Sequence, residues 1–347
     1  MPTQESSGRR ATPIRVMAII VSYKTAQLVK NACRALAEER ERLSGHSVEL
    51  RLCIVDNASG DAASLAPFLA EPEWASWVDL LVSERNGGFA YGNNVAFKHS
   101  FESGYAPDYF FLLNPDAEVR PNAVSALVDF LERTPRAGTA GSSLENLDGE
   151  LWPYAFRFPN LVAEGVSPLA VRKLDALFES RLVARRMGNQ IEEVDWYPGA
   201  AMMCRSSIIR DLGGMDESYF LYYEETDFCL KLKRAGWSHW YVPASRVMHI
   251  AGQSTGVTGV EGVGKRLPAY WFESRRRFFQ KNYGLSYAIA TDAVALAGQA
   301  LGGLQRLVRG KGDGLPLTQS LSDFYRGSAL RYRNWELKPT VEFHPPE

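Results

Sequence analysis

Two short stretches hold residues whose chemistry could be combined. Asn114-Pro115-Asp116, with Glu118 two positions on, follows the apolar run Phe110-Phe111-Leu112-Leu113. A run of this kind reads as a buried strand that delivers polar groups to its C-terminal edge. Pro115 cannot donate a ladder hydrogen bond, so the strand is expected to stop there. Asp116 is then held at the mouth of a sheet, where open α/β folds place their ligands. Asn114, Asp116 and Glu118 offer oxygen atoms to one hard cation, Mg²⁺ or Mn²⁺, which commonly completes its shell with phosphate oxygens. A plain polar turn would leave the same trace.

The second stretch is Phe220 to Leu232, in which Glu224, Glu225 and Asp227 follow Tyr222-Tyr223. Helical periodicity from Thr226 onward puts three acids at a helix N-terminus, where the macrodipole favours negative charge. Crowded carboxylates repel one another, and one that titrates high can serve as a general base. An ordinary acidic helix start is the alternative. His249, in the apolar run Val247-Met248-His249-Ile250-Ala251, closes the same region; it fits either a metal ligand or a satisfied core histidine.

The elements that must position these groups alternate regularly. Apolar runs at 16–21, 50–55 and 78–82 read as strands, separated by helices over 26–43 and about 62–69. Strand–helix alternation predicts an α/β fold with a mostly parallel, Rossmann-like sheet flanked by helices. The strands end in Ser, Asp or Asn, so one sheet edge collects the polar chemistry. The third strand runs into Asn86-Gly87-Gly88-Phe89-Ala90-Tyr91-Gly92-Asn93-Asn94, and a helix over 94–103 points its N-terminus, a ready anion site, at the same place. This loop has neither the Gly-x-Gly-x-x-Gly spacing of a dinucleotide fold nor the Gly-Lys-Ser/Thr ending of a P-loop, which disfavours hydride transfer and P-loop chemistry. Further on, helices are expected over 121–133 and 205–212, and strands over 137–142, 196–204 and 240–243.

Composition excludes some classes. The 347 residues are 46% apolar and 23% charged with a net charge of −1, giving no global signature of nucleic-acid binding. Cys33, Cys53, Cys204 and Cys229 show no zinc-ligand spacing and are expected as buried free thiols of a reducing cytosol. Residues 1–13 lack the apolar core of a secretory signal and read as a disordered tail. No stretch of 18 uncharged apolar residues occurs, so no spanning helix is expected.

Between 149 and 195 the periodicity dissolves. Trp152, Tyr154, Phe156 and Phe158 are candidates either for stacking on sugar or lipid or for a satellite core, and a basic helix is expected over 171–186. Residues 264–334 carry 12 Lys/Arg against 4 Asp/Glu, with an aromatic and basic helix over 270–279 and an apolar stretch over 285–304. That balance fits attachment to anionic lipid. A helical hairpin that packs on the sheet domain or forms a homodimer fits equally.

Taken together, Val21-Ser22-Tyr23, Val55-Asp56-Asn57-Ala58-Ser59, the Asn86–Asn94 loop, Leu113-Asn114-Pro115-Asp116, Gly199-Ala200 and Phe220 to Asp227 resemble the motifs of family-2 glycosyltransferases of the GT-A fold, most closely the bacterial rhamnosyltransferase-like branch. The resemblance covers about residues 15–256. It implies domains at 14–262, with a nucleotide-binding half over 14–120 and a catalytic half over 121–262, and a helical C-terminal region over 263–347.

The resemblance further implies inverting, metal-dependent transfer from a nucleotide-diphosphate sugar, dTDP-L-rhamnose or a UDP-sugar, to a glycan or lipid-linked acceptor of the cell surface. Ser22, Tyr23, Asp56, Asn57, Asn86, Gly87, Gly88, Asn93 and Asn114 would line the nucleotide-sugar site, with Asp56 accepting from the pyrimidine imide. Asn114-Pro115-Asp116 stands where the family carries Asp-x-Asp, so Asp116 and His249 would hold Mg²⁺ or Mn²⁺. Glu225 stands at the position of the catalytic base, with Glu224 and Asp227 as neighbours able to share that role. The competing classes are a sugar-nucleotide pyrophosphorylase or hydrolase, disfavoured because Val21-Ser22-Tyr23 replaces a basic triphosphate loop, and a non-catalytic sugar-nucleotide binding subunit.

Overall fold

The computed structural model describes residues 12–152, 154–250, 266–309, 317–331 and 337–345. The expected tail over 1–11, the segment 251–265 that includes Gln253-Ser254-Thr255, and the boundary at 262 lie outside the described residues.

β1 (Ile14–Ser22) and β2 (Val48–Asp56) pair in parallel from Ile14–Val48 to Ser22–Asp56, so the two polar strand ends finish side by side. The apolar run of β1 serves both faces of the sheet. Val16, Ala18 and Ile20 enter one core while Met17, Ile19 and Val21 enter the other, as the two-residue period of a strand requires. α1 (Ala26–Leu43), α2 (Ala62–Leu69) and the single turn α3 (Pro72–Ala75) make the crossovers to β2 and β3 (Val78–Val82), and α4 (Gly88–Glu102) leads to β4 (Tyr109–Leu113). β3 lies parallel to β2, and β4 parallel to β1 on its other side.

The second half adds β5 (Ala117–Val119), α5 (Ala123–Arg133), β6 (Ala137–Glu145) and β7 (Leu151–Trp152). After these come β8 (Tyr154–Phe156), α6 (Leu161–Val166), α7 (Arg172–Leu177), β9 (Ala184–Arg186), β10 (Glu192–Val194) and β11 (Ala201–Arg205). α8 (Ser206–Leu212), α9 (Glu224–Arg234) and β12 (Ser238–His249) complete the sheet domain. The main sheet has ten strands in the order β10-β12-β6-β11-β4-β1-β2-β3, with β5 on β12 and β7 on β6. β11 runs antiparallel between β4 and β6, so the expected α/β sheet is a mixed one: parallel through β4-β1-β2-β3, antiparallel about β11 and parallel again between β6 and β12.

Several sequence expectations change in detail. The glycine-rich loop is shorter than expected because α4 begins at Gly88 rather than Asn94. The basic helix expected over 171–186 is only the six-residue α7; the chain then turns into β9, which pairs with β8. The last strand runs from Ser238 to His249 with a register shift between Val242 and Arg246, at Pro243, which cannot donate to a ladder.

The basic C-terminal region is helical as expected, and of its two readings the packed hairpin describes the buried arginines. It folds as α10 (Ala269–Tyr283), α11 (Leu285–Val308) and α12 (Leu317–Gly327). Arg275, Arg276 and Arg277 are buried in α10 rather than displayed on a surface. Arg275 pairs with Asp292 and Glu164, and Arg277 pairs with Asp216. Residue counting left a lipid-facing patch and a packed hairpin equally open because it cannot tell a paired cation from a solvated one. No described helix is long and apolar enough to cross a membrane.

Candidate active site

The strand ends on the β1–β3 side are tied together by short polar side chains. The buried Ser22 hydroxyl donates to Asp61 Oδ2 at 2.5 Å, and the same oxygen accepts from the Thr25 amide at 2.9 Å. Asp61 thereby joins the loop after β1 to the loop after β2, a role that sequence reasoning did not assign. Tyr23, half-buried beside them, has the Lys24 ammonium 5.4 Å from its ring centroid. Asn57 Nδ2 donates to Asn86 Oδ1 (3.1 Å) and to Gly88 O (3.0 Å), and Asn86 Oδ1 also accepts from Gly88 N. Asn57, Asn86, Gly87 and Gly88 are thus one network.

Asp56, expected to accept from the base, is held by its own turn. Its side chain is fully buried, with Oδ1 accepting from Ser59 N and Oγ and Oδ2 from Ala62 N. Burial pushes this carboxyl up, but those hydrogen bonds outweigh it and hold its pKa below the usual carboxylate range. These bonds shape the 59–62 turn and fix the orientation of the carboxylate. Asn93 donates to Phe89 O at 2.9 Å, and its Oδ1 is buried without a hydrogen-bond partner.

At the other side of the edge, Asn114 N donates to Ala200 O (3.0 Å), and Ile250 N donates to Asp116 O (3.1 Å). These backbone bonds bring His249 onto Asp116, with Nε2 3.2 Å from Oδ1. Asn114 Nδ2 lies 3.2 Å from the same ring nitrogen. Glu118, opposite Met248 on β5, takes no part in this contact.

The acids arrive on α9 through a strained turn. Tyr222 and Tyr223 both have φ of +68°, a left-handed backbone that bulky residues seldom adopt and that tends to persist at functional sites. α9 begins at Glu224, so Glu224, Glu225 and Asp227 share its first turn. Burial pushes the Glu224 carboxyl well above its ordinary range, and the adjacent Glu225 adds to the effect. Burial also raises Glu225, against the backbone amides of its own turn and of Gly199. One buried oxygen of each, Oε2, has no hydrogen-bond partner. Asp227 differs. Its Oδ2 takes Lys281 at 2.7 Å and its Oδ1 takes Tyr219 and Asn282, so it is engaged in an internal ion pair away from the two free oxygens.

Three contacts join these parts. Phe89 N donates to Phe220 O, linking α4 to the acid-bearing turn. A Cβ on Gly199 would lie 3.0 Å from the Phe89 ring and 4.0 Å from Glu225 Cβ, so only the bare glycine backbone fits easily between them. Ala200, the next residue, accepts from Asn114. The oxygen-rich edge and the candidate base are therefore neighbours across Gly199-Ala200.

The fold and its likeness to known chains define a glycosyltransferase. Residues 17–176 match the model of glycosyl transferase family 2. The chain is 30% identical over 248 residues to an N-acetylglucosaminyl-diphospho-decaprenol L-rhamnosyltransferase of Mycobacterium tuberculosis, covering 69% of this chain and 76% of that one. It is 29% identical over 168 residues to the rhamnosyltransferase WbbL of Escherichia coli, covering 47% of this chain and 61% of that one. The mannosyltransferase PcManGT of Pyrobaculum calidifontis, solved in complex with GDP-Man and Mn²⁺, superposes with a TM-score of 0.52 at 15% identity over 94% of this chain and 84% of that one, a likeness of fold. The chain belongs to glycosyltransferase family 2, and within it is rhamnosyltransferase-like.

Proposed function

We propose that this enzyme transfers L-rhamnose from dTDP-L-rhamnose, with inversion, to a sugar carried on a lipid diphosphate. The observation that carries the proposal is the Asn114–Ala200–Gly199–Glu225 connection, which sets the candidate base beside the Asp116–His249 edge. The name of the mycobacterial relative, which specifies a rhamnosyl group and a diphospho-decaprenol acceptor, supports the sugar and the acceptor class, and the dTDP carrier is what the family resemblance implies.

In this mechanism Glu225, with an unpaired buried oxygen and a raised proton affinity, takes the proton from the acceptor hydroxyl. The hydroxyl oxygen then bonds to the anomeric carbon as its bond to the diphosphate breaks on the opposite face. Glu224, buried beside Glu225, is the neutral neighbour that keeps the local charge down. The Asn57–Asn86–Gly88 network fixes the start of α4, whose positive dipole end would favour the donor diphosphate.

Asp116 and His249 suit a divalent cation. An imidazole nitrogen that accepts from Asn114 faces the Asp116 oxygen lone pair to lone pair, and a shared cation, like a ring proton, resolves that opposition. A bound Mg²⁺ or Mn²⁺ would neutralise charge developing on the departing diphosphate. The exposed stripe Leu301, Leu304, Leu307 and Val308 of α11 supports peripheral contact with the membrane that would carry such an acceptor.

Calorimetric titration with dTDP and UDP, each with and without Mn²⁺, tests the donor assignment. The expected result is Mn²⁺-dependent binding of dTDP that is lost in Asp116→Ala. Preference for UDP would move the donor to a UDP-sugar, and no nucleotide binding would remove the transferase reading of this pocket.

A further inference from the structure

Lys281 lies on α10, outside the family-2 model match, yet its ammonium reaches both ends of the segment that delivers the acids. Nζ donates to Asp216 Oδ2 at 2.9 Å and to Asp227 Oδ2 at 2.7 Å. Asp216 precedes the Tyr219–Tyr223 turn and Asp227 follows it. Between these anchors stand Phe220, whose carbonyl receives Phe89 N, then the left-handed pair Tyr222 and Tyr223, then Glu224 and Glu225.

The anchors themselves are fully engaged. Asp216, its side chain 0% exposed, also takes Arg277 Nε and Nη2 and the amides of Ser218 and Val341. Asp227 also takes Tyr219 and Asn282. A backbone held in the left-handed region persists only where its surroundings over-determine it. Here two buried carboxylates drawn onto one cation supply that constraint.

We infer that Lys281 is a positioning residue for Glu225: it closes the base of the 216–227 segment and so holds the strained turn that aims the base at the acceptor. The C-terminal helices are thereby part of the catalytic machinery. The inference rests on Glu225 being the base, so Glu225→Gln is run alongside as a separate arm.

The test compares steady-state transfer by wild type, Lys281→Met, Lys281→Arg and Asn282→Ala at a temperature where each is folded by circular dichroism. Lys281→Met should lower kcat by about 30-fold with the donor KM within about twofold, because donor contacts lie on α4 and the β4 edge. Lys281→Arg keeps the cation and should recover most of the loss. Asn282→Ala removes one bond to Asp227 and an exposed one from Arg234 without stranding a buried charge; it should lower kcat about threefold at constant KM, and it carries the test if Lys281→Met does not fold. An unchanged kcat in folded Lys281→Met, or in Asn282→Ala where that variant stands alone, would overturn the inference. So would a loss that appears equally in the donor KM. Full activity in Glu225→Gln would instead reject the base assignment itself.

Discussion

A Cβ built on Gly88 would stand 1.7 Å from the carbonyl oxygen of Phe220. Gly88 opens α4 at a φ of +85°, and Phe220 enters the turn that leads to Glu224 and Glu225. The glycine-rich loop and the acid-bearing helix therefore meet backbone to backbone, with no room for a side chain between them.

Gly88→Ala should accordingly disturb both halves at once. A left-handed backbone and a collision with a carbonyl together cost about 2 kcal/mol or more. We expect nucleotide affinity and kcat to fall together, each by at least about tenfold, where Lys281→Met lowers kcat alone. Calorimetry and steady-state kinetics on the two variants make the comparison.

The pH dependence of transfer should carry the mark of the buried acids. Burial raises the proton affinity of Glu225, and a base acts only when deprotonated, so kcat should rise with pH along a limb lying above the ordinary glutamate value of 4.5. Glu224, pushed higher still by burial and by Glu225, stays neutral across that limb, so Glu224→Gln should leave the limb where it is. A pH–rate profile of both proteins makes the comparison.

His239 makes a prediction about stability instead. It is fully buried between Thr139 Oγ1 and Cys229 O, each at 2.8 Å, and burial lowers its pKa from 6.5 to about 4. The unfolded chain takes up this proton below about pH 6.5, and the folded chain does not until about pH 4. Stability from this residue is therefore complete above pH 6.5 and is lost as pH falls toward 4, by up to about 3 kcal/mol. Urea unfolding between pH 4.5 and 7 should show a slope that flattens in His239→Gln.

Arg275 should prove structural. Its guanidinium sits between Asp292 and Glu164 with its side chain 3% exposed. Arg275→Met leaves Asp292 buried and unpaired, which costs about 3–5 kcal/mol. Urea unfolding should show that loss, and limited proteolysis should show cleavage within α10–α12 before the sheet domain.

The contrast between His239 and the active-site groups shows what could be read in advance. The strands and their polar ends were legible because continuous apolar runs such as 16–21 have few other uses, and α2 and β3 end where their breakers stand. Glu224, Glu225 and Asp116 stand out as candidates because each follows an apolar or aromatic run, and His249 because it interrupts one. The partners of those residues do not. Nothing local marks Asp61 as the tie between two loops, or Lys281 as the partner of Asp216 and Asp227, since each contact spans 39 or more residues. The C-terminal surplus of cations could not be resolved between its two readings for the same reason, because several of its counter-charges, Glu164, Asp216 and Asp227, lie in the sheet domain.

The most direct measurement is a proton NMR time course of transfer from dTDP-L-rhamnose to a synthetic N-acetylglucosaminyl diphospho-lipid by wild type and Glu225→Gln. Wild type should give a product whose anomeric configuration is opposite to that of the donor, and Glu225→Gln should bind donor normally yet transfer at least about 10²-fold more slowly. Retention of configuration, or full transfer by Glu225→Gln, would contradict direct displacement with Glu225 as the base.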